Sequence, residues 1–89
     1  MQFEYDLTKS ASNFEKHGID FETAQRIWDD PWMLEIEAKT TAEKRFLSVG
    51  EIDGRRWTAV WTYRFRAIRI ISVRRSRKKE IERYESVGF

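Results

Sequence analysis

The sequence predicts an α+β domain, in which a small twisted antiparallel sheet packs against helices. Three observations support this prediction. Apolar residues recur at helical spacing in the first third of the chain, they alternate with polar residues further on, and turn-forming residues separate the alternating segments. The expected order is β-α-α-β-β-β-β-α, with about four to five strands, two N-terminal helices and one C-terminal helix.

The N-terminal segment is predicted to form a short edge strand and a first helix. Residues 1–5 alternate apolar and polar side chains, and Asp6 is a suitable N-cap for the helix that follows. Gly18 is well placed to end that helix, with Lys16 and His17 in its last turn. The stripe that we expect to face the core consists of Leu7, Ala11 and Phe14.

A second helix is predicted immediately afterwards. Asp20 can cap it, and Pro31 prevents it from continuing. Its expected buried stripe consists of Phe21, Ala24, Ile27 and Trp28.

Beyond Trp32 the hydrophobic period changes to two, which is typical of strands with one buried face. A polar turn at 39–43 separates the first two strands, and Asp53-Gly54 is a strong type I′ hairpin signal between the next two. Ser76 can cap a final helix, in which Ile81 and Tyr84 form a short apolar stripe. The predicted strands are 34–38, 45–52, 55–63 and 68–74.

The composition limits the possible classes of protein. The 89 residues suffice for one small domain, predicted to span 1–89. The chain has no Cys and one His, so a disulfide framework, a thiolate zinc site and a Cys nucleophile are excluded. We expect no cofactor. No apolar run approaches the length of a membrane span, and a cytoplasmic location is the expectation.

The charge is divided between two halves of the chain. Residues 1–54 contain 6 Lys/Arg and 12 Asp/Glu, whereas residues 55–89 contain 11 and 3, so the halves carry −6 and +8 and sum to +2. A basic half of this kind indicates a phosphate-bearing partner, and RNA is the first one to test.

The basic residues concentrate around the last predicted hairpin and helix. If the strands alternate regularly, Arg64, Arg66 and Arg74 share one face of the sheet while Arg69 and Arg75 share the other. The candidate RNA-binding set is Arg64, Arg66, Arg69, Arg74, Arg75, Arg77, Lys78 and Lys79, extended by Arg83.

Two interpretations of this cluster stay open at the level of sequence. In one, the arginines bind RNA phosphates, and Trp57, Trp61 or Tyr63 stacks an unpaired base. In the other, the Trp residues belong to the core and the arginines form a solvated edge. We expect at least two of the four Trp residues to be buried.

His17 and Lys16 also permit two interpretations. The imidazole of His17 can exchange protons near neutral pH, but both residues also suit the last turn of a helix for its dipole alone. No carboxylate pair, Ser nucleophile motif or Gly-rich phosphate loop stands out. RNA cleavage remains compatible with basic and aromatic groups, because the 2′-hydroxyl of the substrate is the nucleophile.

Three blocks of the sequence, taken in order, resemble the BrnT family of toxins, and the Arg45 to Gly50 strand and Tyr63-Arg64 also match its pattern. The resemblance covers nearly the whole chain. The blocks are Phe3-Glu4-Tyr5-Asp6 with Lys9 and Asn13, then Lys16-His17-Gly18-Ile19-Asp20-Phe21 with Ala24, and Arg69-Ile70-Ile71-Ser72-Val73-Arg74-Arg75 with Glu80 and Tyr84.

The resemblance implies a RelE-like fold and a ribonuclease that inhibits translation as the toxin of a type II toxin–antitoxin system. It also implies a BrnA-like antitoxin, which binds the toxin and binds operator DNA. By position, it points to the Lys16-His17-Gly18 block and to the arginines of the last hairpin as functional groups.

The mechanism that we expect is metal-independent cleavage by the 2′-hydroxyl, which leaves a 2′,3′-cyclic phosphate. Arg64 and Arg74 would hold the phosphate, His17 or Tyr84 would move protons, and Lys16 would contribute charge.

Two alternatives are a non-catalytic RNA- or protein-binding module that uses the same basic face, and a gyrase-directed toxin on the same fold. The antitoxin is expected to present acidic and apolar residues that bury the arginines between Arg64 and Arg75, in a hetero-oligomer.

Overall fold

The computed structural model describes residues 1–40 and 42–87, and the predicted order of elements is confirmed. Residue 41 of the predicted 39–43 turn and residues 88–89 lie outside this part. The strands are β1 (Gln2–Glu4), β2 (Leu34–Ala38), β3 (Arg45–Ile52), β4 (Arg55–Arg64) and β5 (Ala67–Arg75), and the helices are α1 (Leu7–His17), α2 (Phe21–Ala24), which continues as a 3-10 helix (Gln25–Asp29), and α3 (Lys78–Val87).

The five strands form one mixed sheet in the order β1-β5-β4-β3-β2. Strands β2 to β5 form the predicted antiparallel meander, but β1 pairs with β5 in parallel, so the expected all-antiparallel sheet is wrong at this edge. A short connection makes neighbouring strands antiparallel, whereas β1 and β5 are separated by most of the chain and can pair in parallel. β1 is an edge strand, as predicted.

Helix α1 has the predicted ends, but the face that it turns toward the core is the opposite of the predicted one. The side chain of Asp6 accepts the N–H of Lys9, and Gly18 ends the helix with φ +81°. The apolar stripe nevertheless faces solvent, with Leu7 78% and Phe14 56% exposed, whereas Ser10 and Asn13 are buried.

The reason for this orientation is the free edge of β5 beyond the short β1. Asn13 Oδ1 accepts the Val73 N–H at 3.1 Å, and Asn13 Nδ2 donates to the Val73 carbonyl at 2.9 Å. Ser10 Oγ accepts the Phe21 N–H at 2.9 Å. Buried backbone groups need partners, so the polar face of α1 packs inward and satisfies them.

The core lies between the sheet and α2 with its 3-10 extension. The second helix has the predicted cap at Asp20 and the predicted buried stripe, in which Trp28 is only half-buried. Trp57 and Trp61 are buried, which confirms the expectation of at least two core Trp residues. The Nε1–H of Trp61 donates to Ser48 Oγ at 2.8 Å, so this buried indole has its partner.

The last helix begins later than predicted. Ser76 does not cap α3; its hydroxyl is hydrogen-bonded to the hydroxyl of Thr58 at 2.7 Å. The Glu80 carboxylate accepts the Arg77 N–H at 2.8 Å and thereby satisfies one of the free N–H groups at the start of the helix. Among the described residues, no helix is long and apolar enough to cross a membrane.

Candidate nucleic-acid interface

A bulge in β5 decides which arginines share a face of the sheet. Between Val60 and Trp61 of β4 the pairing register shifts by one residue, so that Thr62 is opposite Arg69 and Thr58 is opposite Arg74. Thr58, Thr62 and Arg64 alternate along β4 onto the same side, and Arg69 and Arg74 therefore lie on that side with Arg64. The regular alternation assumed from the sequence is wrong for Arg69.

One end of this face carries an open basic pocket. Its volume is about 450 Å³, and α3 does not cover it. The pocket is lined by four cationic residues, Lys9, Arg45, Arg64 and Arg69. We call these four residues the open end of the face. The other lining residues are Glu43, Thr62, Tyr63 and Ile71.

Glu4 of β1 is the counterion shared by two of these arginines. Its Oε1 lies 3.1 Å from Arg69 Nη1 and 3.8 Å from Arg64 Nε. The Arg64 side chain is 57% exposed, and such solvated ion pairs contribute little free energy. Glu43 is a second carboxylate of the pocket, and Asp6 at the start of α1 interacts electrostatically with Lys9 and Arg69. Four cations therefore face three carboxylates, which leaves a net charge of +1. The pocket is therefore suited to bind an additional anion.

The opposite end of the face has its charges paired. Arg74 Nη1 and Nη2 donate to Glu80 Oε1 and Oε2 at 2.8 and 2.9 Å, a bidentate ion pair. The two side chains are only 21% and 12% exposed. Thr58 also donates to this carboxylate at 3.0 Å.

These contacts shift the pKa values of both partners. The hydrogen bond from Arg74 lowers the pKa of Glu80 to about 2, with the N–H of Arg77 and the hydroxyl of Thr58 acting in the same sense against the effect of burial. The same bond raises the pKa of Arg74. Arg74 is thus a structural cation that holds α3 against the sheet.

A second contact fixes α3 at this end. The Tyr84 hydroxyl donates to Asp30 Oδ2 at 2.5 Å, and Asp30 also accepts the N–H groups of Glu51 and Trp32. Burial, and then the Asp30 carboxylate, raise the pKa of Tyr84. Burial alone would raise the pKa of Asp30, but its hydrogen bonds outweigh that effect and lower it. We call Asp30, Arg74, Glu80 and Tyr84 the paired end.

The two ends are too far apart to hold one phosphate. Thr58, the partner of Arg74, and Arg64 are separated by six positions of β4, which corresponds to about 20 Å. The structure therefore does not bring Arg64 and Arg74 together, contrary to the expected mechanism.

Lys16 and His17 do not reach the open end either. Helix α1 runs beside β5, with Lys9 at the pocket and Asn13 at Val73. At 1.5 Å per residue, His17 lies about 12 Å beyond Lys9 along the helix axis, in the direction of Arg75. Lys16 is exposed and His17 half-buried.

The other predicted RNA-binding residues are spread over the surface. Arg66 is exposed in the β4–β5 turn, and the Arg75 guanidinium lies 5.5 Å from the centre of the Trp57 ring, within cation–π distance. Three further basic residues are exposed at the start of α3, namely Arg77, Lys78 and Lys79.

The aromatic residues proposed for base stacking are mostly unavailable. Trp57 and Trp61 are 7% and 0% exposed. Tyr63 is 59% exposed, but its ring packs against Trp61 and Phe46 with centroids 5.0 and 5.5 Å apart. These rings stabilise the sheet.

Sequence reasoning missed Glu4, Lys9 and Arg45, of which the last two belong to the open end, and also Glu43 of the pocket and Phe65 in the adjacent β4–β5 turn. The first three come from β1, α1 and β3, so only the sheet order brings them to Arg64 and Arg69. Phe65 had a usable signal, because it is a large apolar residue between two arginines in a predicted turn. Within residues 1–40 and 42–87, no three His, Cys, Asp or Glu side chains converge as metal ligands do.

The basic pocket on an open sheet face makes this small α+β domain a candidate nucleic-acid-binding protein. A family model described as "Ribonuclease toxin, BrnT, of type II toxin-antitoxin system" matches residues 5–80 of the 89. The chain therefore belongs to the BrnT family of ribonuclease toxins, for which an RNA substrate and an antitoxin partner are implied. The comparison with curated proteins found no match.

Proposed function

We propose that this chain is a metal-independent endoribonuclease that inhibits translation by cleaving RNA at the open end of its sheet. The observation that supports the proposal is the convergence of Lys9, Arg45, Arg64 and Arg69 in one solvent-accessible pocket with an excess of positive charge. We place its action in the cytoplasm, where its substrate is found.

The reaction uses the 2′-hydroxyl of the RNA as nucleophile. This oxygen loses its proton and attacks the adjacent phosphorus, and the bond to the 5′ oxygen breaks. The leaving 5′ oxygen takes up a proton from solvent, so that a 2′,3′-cyclic phosphate and a 5′-hydroxyl result. Arg64 and Arg69 hold the scissile phosphate and stabilise the negative charge that develops on its oxygens. The phosphate competes with Glu4 for the two guanidiniums, which the long and solvated Arg64–Glu4 contact permits.

We assign the proton transfer from the 2′-hydroxyl to Glu43 and not to His17 or Tyr84. The Glu43 side chain lines the pocket, is 60% exposed, and has one long contact of 3.7 Å with Arg45 Nε. Tyr84 directs its proton to Asp30 at the paired end, and Lys16 and His17 lie further along α1. A carboxylate within reach of a hydroxyl can act as its general base.

The proposal extends to the fold type and the partner. We infer a RelE-like fold, which the five-stranded sheet with two N-terminal helices and one C-terminal helix supports. We also infer a BrnA-like antitoxin that binds operator DNA and covers the open end with acidic and apolar residues. Charge complementarity with the pocket supports this orientation.

The test is to incubate the chain, freed of antitoxin, with total RNA in excess EDTA, and to analyse the fragment ends. We expect cyclic-phosphate ends, and a loss of about 10²- to 10³-fold in rate for Arg64→Ala. Arg55→Ala is the matched control, because Arg55 is an exposed arginine at the other end of β4, nine positions or about 30 Å away.

Three results would contradict the proposal. Equal losses in both variants would show a general charge effect. RNA that is bound but stays intact, also with translating ribosomes, would indicate a binding module, and damaged DNA with intact RNA would indicate a gyrase-directed toxin.

A further inference from the structure

The tip of the β4–β5 hairpin displays an aromatic side chain that the fold does not use. Phe65 is 97% exposed, the most exposed of the large apolar side chains in the described residues. It is the first residue of a two-residue loop, since Arg64 pairs with Ala67. Its burial therefore contributes almost nothing to stability.

The backbone at this position is also unfavourable for a bulky residue. Phe65 has φ +56°. In two-residue hairpin loops with one positive φ, the residue at this first position is usually glycine. The β3–β4 hairpin of the same sheet meets a similar requirement with Asp53 and Gly54, at φ +50° and +83°. The β4–β5 loop thus combines conformational strain with an unburied ring, a combination that occurs at binding sites.

The neighbours of the ring indicate a nucleic acid as its ligand. Arg64, the preceding residue, belongs to the basic pocket, and Arg66, the following one, is exposed. Phe65 directly follows Arg64 at the tip of the hairpin, so a nucleotide whose phosphate is held by Arg64 can extend its base to the ring. Aromatic side chains beside cationic ones form the stacking platforms of proteins that bind single-stranded nucleic acids.

We propose that Phe65 is the stacking subsite for an unpaired RNA base next to the scissile phosphate. This subsite rests on the proposed cleavage of RNA at the open end. Stacking on one face of a phenyl ring accepts any base, so the subsite contributes affinity and positioning and selects unpaired nucleotides over duplex.

The test measures binding to a single-stranded RNA made uncleavable by 2′-deoxy substitution. We expect Phe65→Ala to weaken binding about 5- to 150-fold and Phe65→Trp to retain it, whereas Phe65→Leu, which keeps apolar bulk, behaves like Ala. Phe14→Ala is the matched control, because Phe14 is an exposed phenylalanine on α1.

An abasic scan of the RNA identifies the base. At one position, removal of the base should weaken binding to the wild type as much as Phe65→Ala does, and should have little further effect in that variant. Phe65→Gly should raise the thermal midpoint by about 4 °C while it weakens binding, because glycine relieves the positive φ.

The outcomes separate the subsite from the proposed function. If Phe65→Ala binds RNA as the wild type does while Arg64→Ala loses cleavage, the subsite is wrong and the ribonuclease site stands. If Phe65→Ala weakens only binding to the antitoxin, the ring serves a protein interface and the stacking proposal is overturned. If the wild type neither binds nor cleaves RNA, both proposals fail.

Discussion

The open end and the paired end of the sheet both carry arginines, but these differ in how they are paired and in how far they are exposed. Arg64 and Arg74 lie on one face, in neighbouring strands that form a single hairpin. Arg74 is mostly buried and held by both oxygens of Glu80, whereas Arg64 is 57% exposed and shares one oxygen of Glu4 with Arg69. The counterion geometry, and not the number of arginines, decides which guanidinium is available to a ligand.

The difference follows from where α3 packs. The Glu80 and Tyr84 side chains bring the helix onto one end of the face, so the cations there have an internal partner. The other end is not covered by α3, and its cations face solvent. A single C-terminal helix therefore divides one basic surface into a structural part and a candidate functional part.

The largest effect is expected at the open end. Arg69→Ala should reduce RNA cleavage about 10²-fold, because it removes one of two guanidiniums that stabilise the phosphate, and should leave the free energy of unfolding within about 1 kcal/mol of the wild type. Cleavage assays and urea denaturation measure the two quantities. A large loss of stability with normal cleavage would place Arg69 in the structural part.

The next effect is on stability and concerns the polar face of α1. Asn13→Ala should destabilise the protein by about 2 to 3 kcal/mol, because the buried Val73 N–H and carbonyl lose their side-chain partner. Urea denaturation would measure this difference. Ser12→Ala, at an exposed neighbouring position, is the control. Equal stability of the two variants would contradict the assigned role of Asn13.

The paired end should make the free energy of unfolding depend on pH in the acidic range. Glu80→Gln should cost about 2 kcal/mol at neutral pH, since the charged hydrogen bonds with Arg74 are lost. The folded state lowers the pKa of Glu80 from 4.5 to about 2, so its carboxylate stabilises the fold fully above pH 4.5 and loses this contribution as the pH falls toward 2.

Thermal unfolding between pH 2 and 7 checks this dependence. The wild type should lose more stability than Glu80→Gln between pH 4.5 and 2, and the two curves should approach each other at the acidic limit. Parallel curves would show that Glu80 does not carry the acid sensitivity.

The smallest effect is expected from the single histidine. His17→Ala should change the cleavage rate by less than about threefold, because His17 lies about 12 Å from Lys9 along α1. Rates measured from pH 5 to 8 provide the check. A loss of more than tenfold together with a changed pH dependence of the rate would restore His17 as the proton-transfer group.

Local rules predicted the elements well. The caps at Asp6 and Asp20, the Asp53-Gly54 hairpin and the order of the strands depend on neighbouring residues, and all of them are confirmed. The orientation of α1 depends instead on the unpaired edge of β5, which no local pattern of α1 contains.

The candidate site was less predictable for the same reason. The β5 bulge moved Arg69 onto the face of Arg64, and the pairing of Arg74 with Glu80 needed the position of α3. Arg45 reaches the pocket only through β3, and Glu4 reaches Arg64 and Arg69 only through the parallel β1 edge. Charge clustering predicted a basic surface, but the division of that surface arises from tertiary contacts.

The most direct test compares Arg64→Ala with Arg74→Ala, each purified free of antitoxin and assayed with total RNA in EDTA, with rates expressed per folded molecule. We expect Arg64→Ala to lose cleavage and keep its stability, and Arg74→Ala to lose about 2 kcal/mol of stability and keep cleavage. If Arg74→Ala abolishes cleavage while folded and Arg64→Ala cleaves normally, the assignment of the site to the open end is wrong.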